Sequence, residues 1–409
     1  MSTQATMSED ELRQRVRKLI EEVNPDKVDM VTFRGAQFDH GLAWVNFPVG
    51  YGGLGLNPKM QVIVADELRK NCKTVYDDLI INPIGIGMGA ATVLTYGSDE
   101  LKKRLLRPCF SGEEVWCQLF SEPGAGSDVA GLATRAVRDG DDWVLNGQKV
   151  WTTLAHISRW GLLVARSNPD LPKHEGMSYF MLDMQSPGVD VRPLYQITGE
   201  AEFNEVFLQD VRIPHSRMLG KEGQGWQVAL TTLMNERTAL GGGSQQRGGG
   251  PINVLLQLWK NNRAAGESAA AETVMRDRIT KLYIDAELLR LTSQRARAAQ
   301  RSGNPGPEGS VGKLAQAELY KKIWECGLDV MGPSSLVYEP GYDLKRPAIE
   351  DRRDRTLMAK YQFLRSRANS IEGGTSEVMR NILGERVLGL PGEPRTDKGI
   401  PWKDVPRGG

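Results

Sequence analysis

The sequence has few of the features that mark metal-binding, secreted or membrane-spanning proteins. Its four cysteines and four histidines show neither a C-x-x-C pair nor the spacing of metal ligands, so we predict no metal site. We expect the cysteines to be buried free thiols in a reducing compartment. No apolar run approaches the roughly 20 residues that cross a bilayer, and residues 1–11 are too polar and acidic for a signal peptide. These absences predict a cytoplasmic protein without a membrane span.

The sequence also lacks an excess of either charge. Lys and Arg together number 52, and Asp and Glu together number 51. Because proteins that bind nucleic acid or an anionic membrane usually carry a clear positive excess, this balance argues against either as the main partner. The length of 409 residues is sufficient for a large core divided among more than one domain.

The periodicity of apolar residues changes twice along the chain. Residues 1–115 have helical spacing, residues 116–225 contain short segments of period two between turn clusters, and residues 226–392 return to helical spacing. Residues 393–409 are rich in Pro, Gly and charge, so we expect a mobile tail. The sequence therefore predicts an α+β multidomain fold with an N-terminal helical domain, a middle antiparallel β-barrel or sandwich, and a C-terminal helical bundle.

The most informative stretch is a pair of motifs between Phe120 and Thr153. Residues 121–128 read Ser-Glu-Pro-Gly-Ala-Gly-Ser-Asp, a glycine turn flanked by hydroxyls and a carboxylate. Glycines allow close backbone approach, so amide groups of such a turn can converge on an electron-rich ligand. Residues 146–153 read Asn-Gly-Gln-Lys-Val-Trp-Thr-Thr, and the turn signals before and within this segment predict hairpins.

Together these motifs resemble the flavin-binding signature of the acyl-CoA dehydrogenase family, and the helix, β module, helix order extends the resemblance over nearly the whole chain. The resemblance implies that the turn contacts FAD and the thioester region, that the Trp packs on the flavin ring, and that the Thr two residues later hydrogen-bonds near flavin N5. An isoalloxazine is a large apolar plane with polar edges, which suits an aromatic wall and a few placed donors. These cofactor-binding roles fall on Ser121, Gly126, Ser127, Trp151 and Thr153.

The resemblance also implies a catalytic base, for which two carboxylates compete. In short- and medium-chain members the base is the Glu before a late Gly-Thr, but here that position is Gly373, and Glu372 lies one residue early. In the isovaleryl-CoA and long-chain branches and some bacterial relatives, the base belongs to a Glu-Arg pair on an earlier helix. This sequence has Glu236 and Arg237 there.

We therefore predict that Glu236 is the base, that Arg237 supports the site electrostatically, and that the backbone N–H of Gly373 binds the thioester carbonyl. An α-proton of a thioester is weakly acidic, so the base must be a carboxylate whose pKa is raised by a dry pocket. The alternative is that Glu236 and Arg237 are ordinary solvated helix charges. For Glu372 we expect a structural hydrogen bond or ion pair.

Two late features complete the comparison with the family. Thr375 and Glu377 match positions that contact the flavin across or near a subunit interface. The family's Arg-x-x-Phe-Gly motif, whose Arg reaches the FAD pyrophosphate of the neighbouring subunit, is missing, and residues 241–251 contain two Gly-Gly-Gly runs instead. The glycine segment either makes room for a bulky acyl group or is only a flexible linker.

The resemblance implies a specific reaction and specific partners. The reaction is α,β-dehydrogenation of an acyl-CoA to the trans-2-enoyl-CoA, with electrons passed to an electron-transfer flavoprotein. The family shares flavin contacts between subunits, which implies a homotetramer, a homodimer or a heteromer with a related subunit. Two alternatives stay open: a flavoprotein of the same fold with oxygen-dependent oxidation chemistry, and a non-catalytic companion subunit of a heteromeric dehydrogenase.

Overall fold

A computed structural model describes most of the chain. The described residues are 7–240, 246–262, 269–301, 307–338, 341, 343–346, 359–394 and 397–406. Side chains are not described for Leu79 and for residues 236–240, 269–271 and 300–301. The chain divides into two compact units, each described by itself. The first contains Met1–Leu194, Glu202–Asn235 and Asp397–Gly409, and the second contains Tyr195–Ala201 and Glu236–Thr396.

The first unit begins with helices, as the N-terminal periodicity predicts. They are α1 (Glu9–Glu22), α2 (Met30–Asp39), α3 (Gln61–Asn71), α4 (Asp78–Ile81), α5 (Ala90–Tyr96) and α6 (Asp99–Ser111). Helix α1 starts at a capping box, in which the Ser8 hydroxyl accepts from the Glu11 backbone N–H while the Glu11 carboxylate accepts from Ser8. It buries Leu12, Val16 and Leu19, which lie on one face because they are spaced by four and three residues.

A β module follows in the same unit. Its strands are β1 (Trp116–Leu119), β2 (Arg135–Asp139), β3 (Asp142–Thr153), β4 (Trp160–Arg166), β5 (Met177–Asp183), β6 (Val189–Pro193), β7 (Phe203–Pro214) and β8 (Met218–Leu219). They form one sheet in the order β6-β7-β3-β2-β4-β5-β8, with β1 paired to β4. The helical, β and helical order of the predicted fold is confirmed.

The sheet differs in one respect from the fully antiparallel prediction. Strands β1 and β4 pair in parallel, with Trp116 opposite Trp160 and Leu119 opposite Leu163, and β2 makes one parallel bridge to β4. The β2–β3 hairpin is inserted between β1 and β4 in the sequence. After this excursion the chain returns to the sheet in the direction of β1, which a period-two pattern does not reveal.

Every residue of β4 is buried because both faces of the strand are covered. Leu162 and Val164 belong to a core cluster that also includes residues of α5 and α6, and Val228 and Ala229 from the helix that follows the β module. Leu163 and Ala165 point to the opposite face and pack with residues of β3 and β7. Because β1 pairs with β4, the end of β1, where the glycine turn begins, lies beside a strand that is packed on both faces.

The second unit is helical. Its helices are α8 (Pro251–Asn262), α9 (Ala269–Arg301), α10 (Glu308–Met331), α11 (Ala359–Arg365) and α12 (Ser376–Ile382), while α7 (Gly225–Leu240) starts in the first unit and ends in the second. The core of this unit includes Ile252, Leu255, Leu282, Ile323 and Trp324. Among the described residues, no helix has the length and apolarity needed to cross a membrane.

The C-terminal residues pack differently from the prediction of a mobile tail. Residues 397–406 lie against the β module. The backbone N–H of Trp402 donates to Leu171 O at 2.9 Å, and the backbone N–H of Lys403 donates to Pro169 O at 3.1 Å. Trp402–Asp404 form a single 3₁₀ turn. Composition alone indicated mobility. The Trp402 ring N–H, however, donates to the backbone oxygen of Gly131, about 270 residues earlier in the chain.

Candidate functional site

The glycine turn follows directly after β1 and is joined to the end of β3. Glu122 and Ala125 exchange two backbone hydrogen bonds of 3.0 Å, which closes the turn over Pro123 and Gly124. The Val150 N–H donates to Ser121 O at 2.9 Å. The two motifs, which are separated in sequence by 17 residues, therefore lie side by side on the β module.

A buried ion pair fixes the first end of this turn. The Lys149 ammonium donates to Glu122 Oε1 at 2.8 Å, to Phe120 O at 3.1 Å and to Val164 O at 2.9 Å. The Glu122 carboxylate also accepts from the backbone N–H groups of Ala133 at 2.6 Å and Thr134 at 2.9 Å. Lys149 is fully buried and Glu122 is 8% exposed. Because both charges are hydrogen-bonded on several sides, the pair joins β1, β3 and β4 at the turn.

Burial acts on both members of this pair. Burial opposes the charged form of Glu122, but the Lys149 charge and the hydrogen bonds it accepts outweigh this effect, so its pKa is lowered. Burial lowers the pKa of Lys149 as well, against the raising effect of Glu122. Because the Glu122 carboxylate accepts from three donors, we treat the pair as charged at neutral pH.

Trp151 is turned outward by a bulge in β3. The register between β3 and β7 shifts between Lys149 and Thr152, and Trp151 has a φ of 59°. A bulky residue with positive φ is strained, so its conformation persists only where the surroundings impose it. The indole is 59% exposed and meets the Phe203 ring edge-on at 5.9 Å. This exposed aromatic face beside the glycine turn is the kind of wall that a flat apolar ligand requires.

Three hydroxyl side chains belong to the same two motifs. Ser121 and Thr153 are half-buried and Ser127 is exposed, and none of the three side chains hydrogen-bonds another residue within the described ranges. Gly126 has open space on its outer side, because a Cβ placed there would meet no described atom within 4 Å. Of the five predicted flavin-binding residues, the structure places Ser121 beside the end of β3, which carries Trp151 and Thr153, and places Gly126 and Ser127 in the glycine turn that follows Ser121.

The predicted base lies on α7, but the side chains of Glu236 and Arg237 lie outside the described residues. One turn earlier, the buried Thr232 hydroxyl lies 2.9 Å from that of Thr92 and 3.1 Å from that of Tyr179. This network anchors α7 to α5 and β5. Helical spacing places position 236 on the same face of α7 as Thr232.

The late predicted residues belong to the second unit. Gly373 and Gly374 have φ values of 62° and 94° in a turn before α12, and Lys313 donates to Gly374 O at 2.6 Å. Thr375 caps α12, since its hydroxyl accepts from the Val378 N–H at 3.1 Å. Glu377 is exposed and pairs with Arg380 at 3.3 Å.

Glu372 has a structural partner. Its two carboxylate oxygens accept from the two terminal nitrogens of Arg365 at 3.0 and 2.9 Å, in a bidentate ion pair. This geometry agrees with the structural role that we expected for Glu372.

Two groups of residues at the site went unassigned in the sequence analysis. Glu122 and Lys149 both lie within the quoted motifs. The available signal was that Lys149 occupies a position of β3 whose side chain points into the core, where a charged residue is unusual. The contact between Thr232, Thr92 and Tyr179 joins residues up to 140 positions apart, and a single sequence carries no signal for it.

Comparisons with known proteins identify the class and then the family. The models for the N-terminal, middle and C-terminal domains of acyl-CoA dehydrogenases match residues 6–113, 117–211 and 223–388. Acyl-CoA dehydrogenases are oxidoreductases, and this protein is an enzyme of that class. The chain belongs to the acyl-CoA dehydrogenase family.

Individual relatives support this assignment. The chain is 38% identical over 354 residues to acyl-CoA dehydrogenase FadE34 of Mycobacterium tuberculosis, covering 86% of this chain but only 45% of FadE34. It is 35% identical over 355 residues to acyl-CoA dehydrogenase IpdE1 of the same organism, covering 87% of this chain and 86% of IpdE1. It is also similar to a chain of the ChsE4–ChsE5 complex from Mycobacterium tuberculosis, with a TM-score of 0.69, 26% identity, and coverage of 96% of this chain and 100% of that one.

Proposed function

We propose that the protein is an FAD-dependent acyl-CoA dehydrogenase that forms a trans-2-enoyl-CoA and passes its electrons to an electron-transfer flavoprotein. The observation that carries this proposal is the exposed Trp151 face, held by a strained bulge beside a glycine turn. An exposed indole in a strained conformation is costly unless a ligand uses it. The buried strand β4, which packs on both of its faces, supports the site from beneath, as a cofactor site requires.

The residues of the β module fit the cofactor. Trp151 offers its ring to the isoalloxazine plane, and the Thr153 and Ser121 hydroxyls are available as donors to its polar edge. The turn amides near Gly126 and Ser127 suit electron-rich groups of FAD or of the thioester.

We propose that Thr375 also contacts a flavin, across or near a subunit interface. Its hydroxyl oxygen accepts the helix-capping hydrogen bond, while its own proton remains to donate. We propose that Glu377, two residues later in the chain, contacts the flavin in the same region. Bound FAD supplies a two-electron acceptor for the β-hydrogen.

In this proposal Glu236 removes the α-proton of the thioester. The hydroxyl network at Thr232 holds the preceding turn of α7 against α5 and β5. Arg237 supports the site electrostatically, and the Gly373 N–H binds the carbonyl oxygen on which negative charge develops. The α-proton of a thioester is weakly acidic, so the reaction requires a carboxylate base that is held away from water.

We infer that the protein works as an oligomer formed through its helical unit. On α9, Ile284, Leu288 and Leu291 follow each other at helical spacing and are 52%, 57% and 50% exposed. An apolar stripe of this kind commonly marks an interface between chains. The similarity to a chain of a two-component complex supports a heteromer with a related subunit, beside a homodimer or homotetramer.

Absorbance and product analysis test the proposed function. The purified protein should show flavin absorbance, a panel of acyl-CoAs should bleach it without oxygen, and the product should be two hydrogens lighter, with electron-transfer flavoprotein restoring the colour. Flavin that no acyl-CoA bleaches would contradict the proposal in favour of oxygen-dependent oxidation. A protein that stays flavin-free when FAD is supplied would support a companion subunit instead.

A further inference from the structure

The C-terminal strap, defined as residues 397–406, contacts the chain immediately after the glycine turn. The Trp402 ring N–H donates to Gly131 O at 3.2 Å, and the Trp402 ring lies 4.8 Å from the Arg166 guanidinium carbon. Gly131 ends the short helical turn Val129–Gly131, which follows Asp128 of the glycine motif. The strap therefore reaches the far end of the predicted flavin-binding turn.

Arg166 holds the same short turn from the inside. It is 2% exposed, and its two terminal nitrogens donate to Ala130 O at 2.6 Å and to Lys173 O at 2.7 Å. The Trp402 ring covers the Arg166 guanidinium in a cation–π contact. Residues 129–131 are thus held between a buried guanidinium and the strap.

Lys173 connects the strap to the glycine motif itself. Its ammonium pairs with Asp128 at 2.8 Å and also with Asp397, the first described residue of the strap. The Lys173 side chain is 15% exposed. Burial tends to lower the pKa of Lys173, but the hydrogen bonds to both carboxylates raise it, so the charged form is retained.

The glycine turn depends on these contacts at its ends. A Cβ placed on Gly124 or Gly126 would meet no described atom within 4 Å, so no neighbouring side chain packs on the outer side of the turn at these positions. The Glu122–Lys149 pair fixes the first end. The second end is fixed by Lys173 and by the contact between Trp402 and Gly131.

We propose that the C-terminal strap positions the flavin-binding turn, with Trp402 and Lys173 as positioning residues, so that the end of the chain sets how tightly the protein holds FAD. This inference rests on the proposed flavin site. It assigns the last residues of the chain to the cofactor site, about 270 positions away from the turn that they hold.

Hydrogen exchange and FAD binding, measured on full-length variants, test this inference. Trp402→Ala should speed amide exchange in peptides covering residues 121–134 of the flavin-free protein, and it should raise the FAD dissociation constant at least tenfold. Trp402→Phe keeps a ring over Arg166 without the donor to Gly131, so it should restore part of the loss. Asp397→Asn removes one carboxylate from Lys173 and should raise the dissociation constant about threefold.

Lys403→Ala is the matched control on the same strap. Its ammonium pairs with Asp170, and both side chains are more than half exposed, so it should leave the exchange of residues 121–134 unchanged. If Trp402→Ala and Asp397→Asn both leave exchange and FAD binding within twofold of the wild type, the inference is wrong while the proposed function stands. If the wild type never binds FAD, the proposed function fails first, and the inference with it.

Discussion

At the scale of single residues, the Glu122–Lys149 pair is the feature on which the candidate site depends most. A buried ion pair adds little stability compared with apolar residues, but removal of one partner leaves an uncompensated charge. Here Glu122 also accepts from the backbone N–H groups of Ala133 and Thr134, and Lys149 donates to the backbone carbonyls of Phe120 and of Val164 in β4. The pair therefore contributes to the shape of the site as well as to stability.

Lys149→Met should lower the free energy of unfolding of the first unit by about 3–5 kcal/mol, because the Glu122 carboxylate would stay buried without its cation. Urea denaturation of the variant and the wild type measures this loss. Lys281→Met is the matched control, since its ammonium pairs with Asp277 on the helix surface and both side chains are largely exposed; we expect no measurable change there. A loss below 1 kcal/mol for Lys149→Met would show that the pair does not fix the turn.

The sequence indicated candidate residues for the proposed flavin site but did not indicate their conformation. The Trp-x-Thr motif indicated Trp151 and Thr153 without any structural knowledge. The outward rotation of Trp151 depends on a register shift between β3 and β7, whose partner residues lie more than fifty positions away. Local sequence cannot specify such a shift, because it is set by the pairing of two strands.

At the scale of secondary structure elements, ion pairs tie the first helices together. Glu67 of α3 is 2% exposed and accepts from Arg17 at 2.6 Å and from Arg13 at 3.3 Å, both on α1. The hydrogen bond from Arg17 is the main reason that the pKa of Glu67 is lowered from its ordinary value of 4.5. Packing of α1 on α3 therefore depends on pH.

Glu67→Gln should lower the melting temperature at neutral pH and lose this effect in acid. A lowered folded-state pKa means that the stabilisation is fully present above the unfolded-state pKa and is lost as the pH falls through the folded-state value. Calorimetry from pH 3 to 7 should show the wild type and the variant converging on the acid side. A difference that stays constant over that range would contradict the role of the carboxylate charge.

Element types followed from the sequence more readily than element pairing. Helical and period-two segments alternate as predicted, because periodicity reports which face of an element is buried. The parallel pairing of β1 with β4 and the hydrogen bonds that anchor α7 at Thr232 join distant segments. A single sequence contains no direct signal for such contacts.

At the scale of the whole molecule, the exposed stripe on α9 predicts association between chains. Leu288→Glu should place a charge in the middle of this stripe and reduce the mass of the particle measured by light scattering, because a buried unpaired charge opposes association. Lys18→Glu on α1 is the control, as its side chain is 68% exposed and lies outside α9. An unchanged mass for Leu288→Glu would show that α9 does not form the interface.

The C-terminal residues show the limit of reasoning from composition. A segment rich in Pro, Gly and charge was predicted to be mobile, but Trp402 and Asp397 contact residues that surround the glycine turn. The contacts of the Trp402 ring with Gly131 and Arg166 join segments far apart in the sequence, and composition carries no information about such contacts.

The central claim is that Glu236 is the base, and stopped-flow reduction of the bound flavin by an acyl-CoA without oxygen tests it most directly. Glu236→Gln should bind FAD and the acyl-CoA normally but slow flavin bleaching by at least a thousandfold, since the amide cannot accept the α-proton. Glu372→Gln, which only breaks the ion pair with Arg365, should bleach at close to the wild-type rate. The opposite pattern, with Glu372→Gln inactive and Glu236→Gln active, would contradict the assignment.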